Sequence, residues 1–225
     1  PGQNLLDAWP SMNSAARRSA IASLGHNLQQ LHAITLPENL ENPWLTDAVQ
    51  VEGKAGDAYH VLPKFFPIII DSLRKARRLD GALLMQAESF LAARLELFTR
   101  GEPVLVHSDI HFNNLIWDGV EVTLVDFEGA AAAPKDMELH TILRFTHHPE
   151  QFYRQGELVE VTPADLIDVL PVLQQVYPSL FDLPDLTERL KVYEVMWQLL
   201  QLHHFQPGHD FDPMQHLLDT LNKPG

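Results

Sequence analysis

The segment from Val104 to Glu128 reads VLVHSDIHFNNLIWDGVEVTLVDFE, and it decides the fold. It opens on the short apolar run Val104–Val106, which predicts a strand. Two further apolar runs, Leu115–Trp117 and Val120–Val125, are separated by Asp118-Gly119, a strong signal for a tight hairpin turn. The segment therefore predicts a strand, a polar loop and a β-hairpin in succession.

Polar side chains with metal-binding chemistry lie in that loop and at the far end of the hairpin. Asn114 follows Asp109 by five residues, and Asp126 comes directly after the second hairpin run. If the hairpin forms, its open end brings all three side chains to one cavity. Carboxylate and amide oxygens suit Mg²⁺, which binds one or two such groups together with substrate phosphates. Phosphoryl transfer needs such a set, because one carboxylate orients the attacking hydroxyl while the other groups hold the metal.

The same residues resemble the catalytic core of the aminoglycoside phosphotransferase and choline kinase family, relatives of the protein kinases that phosphorylate small molecules. The spacing H-x-D-x-x-x-x-N also matches the protein-kinase catalytic loop, and Asp-Phe matches the metal-binding motif that follows it. The similarity extends over both flanks, to about Phe145. The stretches that carry it are His107-Ser108-Asp109-Ile110-His111-Phe112-Asn113-Asn114, Asp126-Phe127-Glu128, Pro1–Ile34 and Pro134–Leu139.

The resemblance implies a role for each matching residue. Asp109 would be the catalytic base, and Asn114 and Asp126 would bind Mg²⁺ and, through it, ATP or another nucleoside triphosphate. His107 and Asp136 would support the loop structurally. The implied activity is transfer of the γ-phosphoryl group to a hydroxyl of a small molecule.

Three residues of the motif are less clearly assigned. His111 could approach the phosphates or the substrate, or it could pack under the loop, and we favour packing. Glu128 could assist the metal or face solvent. Ser108 stands where the family usually has glycine, and we expect this small residue to be tolerated.

The rest of the chain predicts helices, so the expected class is mainly α with one small β-hairpin (α+β). Pro63 and Pro67 interrupt the second helix, and a loop runs from Leu36 to about Pro43. We expect a helical part at 1–100, the catalytic loop and metal-binding hairpin at 101–128, and a helical substrate-side part at 129–225. The predicted helices are Ser11–Ile34, Ala58–Arg78, Ala82–Arg100, Asp136–Phe145, Pro163–Gln175, Leu186–Leu202 and Pro213–Leu221.

The elements of a kinase N-terminal lobe are not found in the sequence. There is no G-x-G-x-x-G loop, and neither Lys54 nor Lys64 lies in the strand context of the phosphate-binding lysine. The chain is therefore expected to be the C-terminal lobe alone. It would be either a fragment of an active enzyme, weakly active or inactive by itself, or a catalytically inactive single-lobe binding or interaction module. The surface that faced the missing lobe would favour self-association.

Composition limits the partners. The chain has 16 basic and 30 acidic residues, a formal net charge of −14. This charge disfavours nucleic acid and anionic membranes and suits a cationic acceptor. There is no cysteine, which excludes thiol chemistry and fits a cytoplasmic location. The longest strongly apolar stretch, Phe65–Ile70, is too short to span a bilayer.

One other enzyme class deserves consideration. His107, Asp109 and His111 could bind zinc or iron in a metal-dependent hydrolase. The sequence contains no H-E-x-x-H helix to support that alternative, and it would leave the positions of Asn114 and Asp126 unexplained.

Overall fold

The structure is a computed structural model that describes residues 2–36, 58–77, 79–98, 102–153, 160–204 and 213–222. The chain divides into two compact units, Pro1–Leu36 with Val104–Leu183, and Pro37–Pro103 with Pro184–Gly225. Beyond its first residue, the predicted loop from Leu36 to about Pro43 lies outside the described residues. The three consecutive parts expected from the sequence stay a prediction.

The described residues are mostly helical. The helices are α1 (Leu5–Ala8), α2 (Ser14–His32), α3 (Ala58–Ala76), α4 (Gly81–Ala92), α5 (Met137–His147), α6 (Val169–Val176), α7 (Leu186–His204) and α8 (Pro213–Asn222). Short 3-10 turns lie at Trp9–Ser11, Leu95–Phe98, Phe112–Asn114, Phe127–Gly129, Pro149–Phe152, Pro163–Leu166 and Pro178–Leu180. The strands are β1 (Gln3–Asn4), β2 (Val104–Val106), β3 (Leu115–Trp117), β4 (Val122–Leu124) and β5 (Ala131–Ala133).

The predicted hairpin forms from β3 and β4, paired antiparallel with Leu115 opposite Leu124. Its turn spans four residues instead of two. The side chain of Asp118 closes it by accepting hydrogen bonds from the backbone N–H groups of Val120 and Glu121, both at 2.8 Å. Gly119 adopts a φ of 102°, a conformation that favours glycine.

The expectation of a single hairpin was incomplete. Strand β1 adds an antiparallel edge to β3, and β2 pairs with β5 in a second, two-stranded sheet. Alanine has a low strand propensity, so Ala131–Ala133 gave no strand signal. Pairing with β2 and complete burial of the three side chains overrode that preference.

Two helix predictions need correction at prolines. Helix α3 continues through Pro63 and Pro67, although each removes a backbone donor. The predicted helix Pro163–Gln175 instead divides into a 3-10 turn and α6. Pro171 explains the division, because its ring would clash with a helical carbonyl four residues earlier, whereas proline is tolerated in the first turn of α6.

The predicted helix Ala82–Arg100 also ends early, with α4 stopping at Ala92 before the separate 3-10 turn Leu95–Phe98. In the second unit α7 packs against α3 and α8. Arg189 of α7 is buried, with its guanidinium 4.7 Å above the ring of Phe98. None of the helices in the described ranges is long and apolar enough to cross a membrane.

Helix α2 supports the first unit. Asn13 caps its start by accepting a hydrogen bond from the N–H of Ala16 at 2.9 Å. The buried face of α2 packs against α6, β2 and β4, with Leu24 and Leu28 fully buried. This packing fixes the hairpin and the strand that precedes the polar loop.

Gly25 provides a test of the contact between α2 and α6. A Cβ atom added there would lie 2.8 Å from Cγ1 of Val176 and 3.1 Å from its Cβ. Glycine to alanine usually stabilises a helix interior, but here we expect Gly25→Ala to destabilise the protein by about 1–3 kcal/mol. Thermal denaturation measures the change. Gly81→Ala, where a Cβ meets nothing within 4 Å, is the control; equal melting temperatures for both variants would contradict the packing.

Candidate active site

The polar loop between β2 and β3 brings three of the sequence-predicted residues into direct contact. The side-chain amide of Asn114 donates to Oδ2 and to the main-chain oxygen of Asp109, both at 2.9 Å. Nε2 of His111 lies 3.3 Å from the same Oδ2. Asn114 is buried, whereas the Asp109 side chain is 54% exposed. A buried amide thus holds an accessible carboxylate.

This environment keeps the Asp109 carboxylate ionised. Partial burial raises its pKa, but the hydrogen bond and charge of His111 and the hydrogen bond of Asn114 outweigh that effect, with His107 adding a smaller contribution. The pKa therefore lies below its usual value. At neutral pH the side chain is a charged acceptor that can orient a hydroxyl group.

Asp126 comes directly after the hairpin. The N–H of Val125 donates to the main-chain oxygen of Asn114 at 3.0 Å, so the two ends of the hairpin are tied together there. Asp126 follows in the left-handed region, with φ 65° and ψ 63°, and it is exposed. Glu128 is exposed as well. The amide nitrogen of Asn114 is occupied by Asp109, which leaves its oxygen as the group that suits a cation.

His107 joins the two strand ends from the interior. It is fully buried, its Nε2 lies 2.8 Å from the carbonyl oxygen of Val125, and its ring lies 4.6 Å from that of Phe127. Because a carbonyl only accepts, Nε2 carries the proton. That nitrogen is not available as a metal ligand, which weighs against the hydrolase alternative. Across the residues that the structure describes, no three His, Cys, Asp or Glu side chains form a group that could hold a metal ion.

His111 lies against the loop. Its side chain is 13% exposed, and its ring lies 4.9 Å from the ring of Phe152. Nε2 faces both Asp109 and the amide nitrogen of Asn114, the latter at 3.2 Å.

Sequence reasoning missed Glu138, which lies beneath the loop. Its two carboxylate oxygens accept hydrogen bonds from the successive backbone N–H groups of His107 and Ser108, the second at 3.2 Å. Thr141, one turn further along α5, donates to the carbonyl oxygen of Ser108 at 3.1 Å. Asp136, the residue expected to hold the loop, is fully buried too. The available signal was an acidic residue among the apolar residues Leu139, Ile142 and Phe145, at the spacing of one helix face.

A buried histidine of α2, His32, lies between Glu138 and Tyr177. Nε2 of His32 lies 3.8 Å from a carboxylate oxygen, and its Nδ1 lies 2.9 Å from the hydroxyl of Tyr177. Burial raises the pKa of Tyr177, and the charge of Glu138 acts in the same direction. The hydroxyl is therefore protonated at neutral pH and can donate to Nδ1, while Nε2 of His32 lies beyond hydrogen-bond distance of the carboxylate.

Ser108 explains the family's preference for glycine at its position. Its φ is 67°, in the left-handed region that glycine adopts without strain. The serine hydroxyl donates to the carbonyl oxygen of Gly129 at 2.5 Å, which ties the loop to the residues after Asp126. A Cβ on Gly129 would lie 2.9 Å from that hydroxyl, so a larger residue there would displace the Ser108 side chain.

The fold is similar to those of solved aminoglycoside phosphotransferases. The aminoglycoside phosphotransferase APH(2'')-Ib, bound to ADP, aligns with a TM-score of 0.59 at 14% identity, over 99% of this chain and 69% of its own. APH(2'')-IIa bound to gentamicin aligns with a TM-score of 0.61 at 15% identity, over 100% of this chain and 69% of its own length. APH(2'')-IIa with streptomycin and ATP aligns with a TM-score of 0.58 at 16% identity, over 93% of this chain and 64% of its own length.

The fold of this chain is thus similar to that of kinase-like phosphotransferases. The sequence model of the phosphotransferase enzyme family, APH, matches residues 1–161, well over half of the chain. The chain belongs to this phosphotransferase family, as the motif comparison predicted. No curated protein sequence matches it closely enough to count as a relative.

Two substitutions at Ser108 separate the contribution of its strained backbone to stability from that of its side-chain hydrogen bond. Ser108→Ala loses the bond to Gly129 and keeps the strain, whereas Ser108→Gly loses the bond and relieves the strain. We expect the glycine variant to be more stable than the alanine variant by about 1 kcal/mol. Urea denaturation of both proteins measures the difference. An alanine variant as stable as the glycine variant would show that φ at this position is not left-handed.

Proposed function

We propose that this chain is the catalytic part of a small-molecule kinase that transfers the γ-phosphoryl group of ATP, or of another nucleoside triphosphate, to a hydroxyl group. In this proposal Asp109 is the catalytic base and Asn114 and Asp126 are the ligands of Mg²⁺. The observation that carries it is the double hydrogen bond from the buried Asn114 amide to Asp109. Membership of the phosphotransferase family supports it.

The chemistry of the donor set fits Mg²⁺. Asn114 offers an amide oxygen and Asp126 a carboxylate, and a hydrogen bond one residue before Asp126 ties the two segments together. A set of one carboxylate and one amide suits a cation that also takes substrate phosphates as ligands. When bound, Mg²⁺ would neutralise negative charge on the nucleotide phosphates.

The reaction assigns Asp109 a positioning role first and a proton-accepting role later. The acceptor oxygen attacks the γ-phosphorus, the bond to the β-phosphate oxygen breaks, and the hydroxyl proton passes to Asp109. In a loose transition state the bond between the acceptor oxygen and the γ-phosphorus is only slightly formed. The hydroxyl therefore loses its proton late in the reaction. A carboxylate with a lowered pKa is a weak base, but it remains ionised and accepts the hydrogen bond that aligns the hydroxyl.

We assign the chain to the C-terminal lobe of such an enzyme. Two of the neighbours align with 99% and 100% of this chain, and the aligned part makes up 69% of each neighbour's own length. This proportion fits a chain that corresponds to one lobe of a two-lobed enzyme. His107 and Asp136 act as structural supports of the loop, and Glu138 shares that role. His111 serves the loop through its contact with Asp109, and Glu128 is available to the metal or to solvent.

The acceptor class that we favour is a hydroxylated cation. The net charge of −14 would attract such a compound, and two of the neighbouring structures hold the aminoglycosides gentamicin and streptomycin. Aminoglycosides and hydroxylated amines such as choline are therefore the first compounds to test.

Phosphoryl transfer tests the assignment of Asp109. Purified protein is incubated with Mg²⁺, ATP radiolabelled at the γ-phosphate, and the acceptor panel. We expect Asp109→Asn to lower the transfer rate by about 10²- to 10⁴-fold, because it removes the proton acceptor. Asp118→Asn is the matched control, since that side chain bonds only the hairpin-turn amides. Equal rates for both variants would rule out Asp109 as the base.

Thermal shift tests the metal ligands independently of turnover. A ligand that binds only the folded protein raises the melting temperature by mass action. We expect Mg²⁺ with ATP to raise it, and Asp126→Asn to remove most of that rise while leaving the ligand-free melting temperature nearly unchanged, because Asp126 is exposed. A shift that survives in Asp126→Asn would exclude this residue as a ligand. A normal shift without any transfer would favour the inactive binding module.

A further inference from the structure

We propose that Asn113 is a positioning residue for Asp109, acting through Phe152 and His111. The chain of contacts runs from the Asn113 side chain to the backbone of Phe152, from the Phe152 ring to the His111 ring, and from His111 to the Asp109 carboxylate. The functional part of this inference depends on the proposed role of Asp109 as the catalytic base.

Asn113 joins three separate segments of the first unit. Its side-chain amide donates to the carbonyl oxygen of Phe152 at 2.7 Å. Its own carbonyl oxygen accepts a hydrogen bond from the side chain of Asn4 at 2.8 Å. The side-chain oxygen of Asn4 in turn accepts from the N–H of Leu6 at 2.9 Å, which fixes Asn4 at the start of α1. Asn113 therefore holds the 3-10 turn Pro149–Phe152 at a set distance from the loop.

Phe152 is held on the sides that do not face His111. Its ring meets the fully buried ring of Phe145 edge-on at 5.3 Å between centroids. The guanidinium of Arg144 lies 5.7 Å from the centre of the ring and donates to the side-chain oxygen of Gln151 at 2.7 Å. These contacts hold the Phe152 ring beside that of His111, with 4.9 Å between the ring centroids.

The orientation of His111 matters because Asp109 has little packing of its own. The Asp109 side chain is 54% exposed, so its rotamer depends on the hydrogen bonds from Asn114 and His111. Nε2 of His111 can donate to Oδ2 of Asp109, 3.3 Å away, only if the ring keeps one tilt. Phe152 provides that tilt, and Asn113 holds Phe152 in place. An error of about 1 Å in a catalytic group can lower a rate by about 10²-fold.

The experiment compares Asn113→Ala with Gln29→Ala in the full chain. Gln29 is the matched control, because its side-chain amide also donates to a backbone carbonyl, that of Val176 at 3.0 Å, in the same unit. Protein labelled with ¹⁵N-histidine reports the Nε2 signal of His111, which is assigned by its loss in His111→Gln. Nuclear Overhauser effects report the distance between the His111 and Phe152 rings. Phosphoryl transfer gives kcat and the nucleotide KM.

We expect Asn113→Ala to shift the His111 Nε2 signal, weaken the Overhauser effects to Phe152, and lower kcat by about 10- to 10²-fold with the nucleotide KM within about twofold. Gln29→Ala should leave the His111 signals and kcat unchanged. In an Asp109→Asn background, Asn113→Ala should cause almost no further loss of kcat, because both changes act on one group.

The proposal would be overturned if Asn113→Ala lowered the melting temperature but left the His111 signals unchanged. Phe152→Leu covers the case in which Asn113→Ala does not fold, because it removes the ring and keeps the backbone carbonyl that Asn113 binds; unchanged His111 signals in a folded Phe152→Leu protein would equally overturn it. If Asp109→Asn transfers phosphate normally while Asn113→Ala still moves His111, the proposed function fails and the contact chain stands.

Discussion

The pairing of the buried Glu138 carboxylate with two successive backbone N–H groups is the interaction on which the polar loop between β2 and β3 depends. A fully buried carboxylate is costly unless each oxygen has a donor, and the amides of His107 and Ser108 provide both donors. The loop therefore has one favourable position relative to α5. That position fixes the left-handed turn at Ser108, and Asp109 follows it directly.

From this anchor the loop is supported in two directions. Inward, His107 bonds the carbonyl of Val125, so the strand before the loop and the strand after the hairpin keep a fixed relation. Outward, Ser108 bonds the carbonyl of Gly129. Asp109 and Asp126 thus lie on segments that share two cross-links, and both remain exposed. Rigid support with exposed functional groups is what a reaction governed by positioning requires.

Electrostatics around Asp109 suit the same purpose. Partial burial raises the pKa of Asp109, but the hydrogen bond and charge of His111 and the hydrogen bond of Asn114 lower it by more, so the structure favours an ionised carboxylate over a strongly basic one. In phosphoryl transfer through a loose transition state, a weakly basic carboxylate lowers the rate little, because the attacking hydroxyl loses its proton late. The aromatic contacts of His111 and Phe152 then maintain the geometry of one of those hydrogen bonds.

The sequence by itself determined the hairpin, the long helix α2 and the motif of the polar loop between β2 and β3. These features depend on local patterns: apolar runs about an Asp-Gly turn, a helical repeat, and a motif within 25 residues, from Val104 to Glu128. Tertiary structure alone decided the strand Ala131–Ala133, the helix through Pro67, and the contacts of Glu138 and Asn113. Each of these depends on a partner far along the chain, such as Phe152, which lies 39 residues from Asn113. Burial and pairing energies between distant residues outweigh local preference there, and no local pattern encodes them.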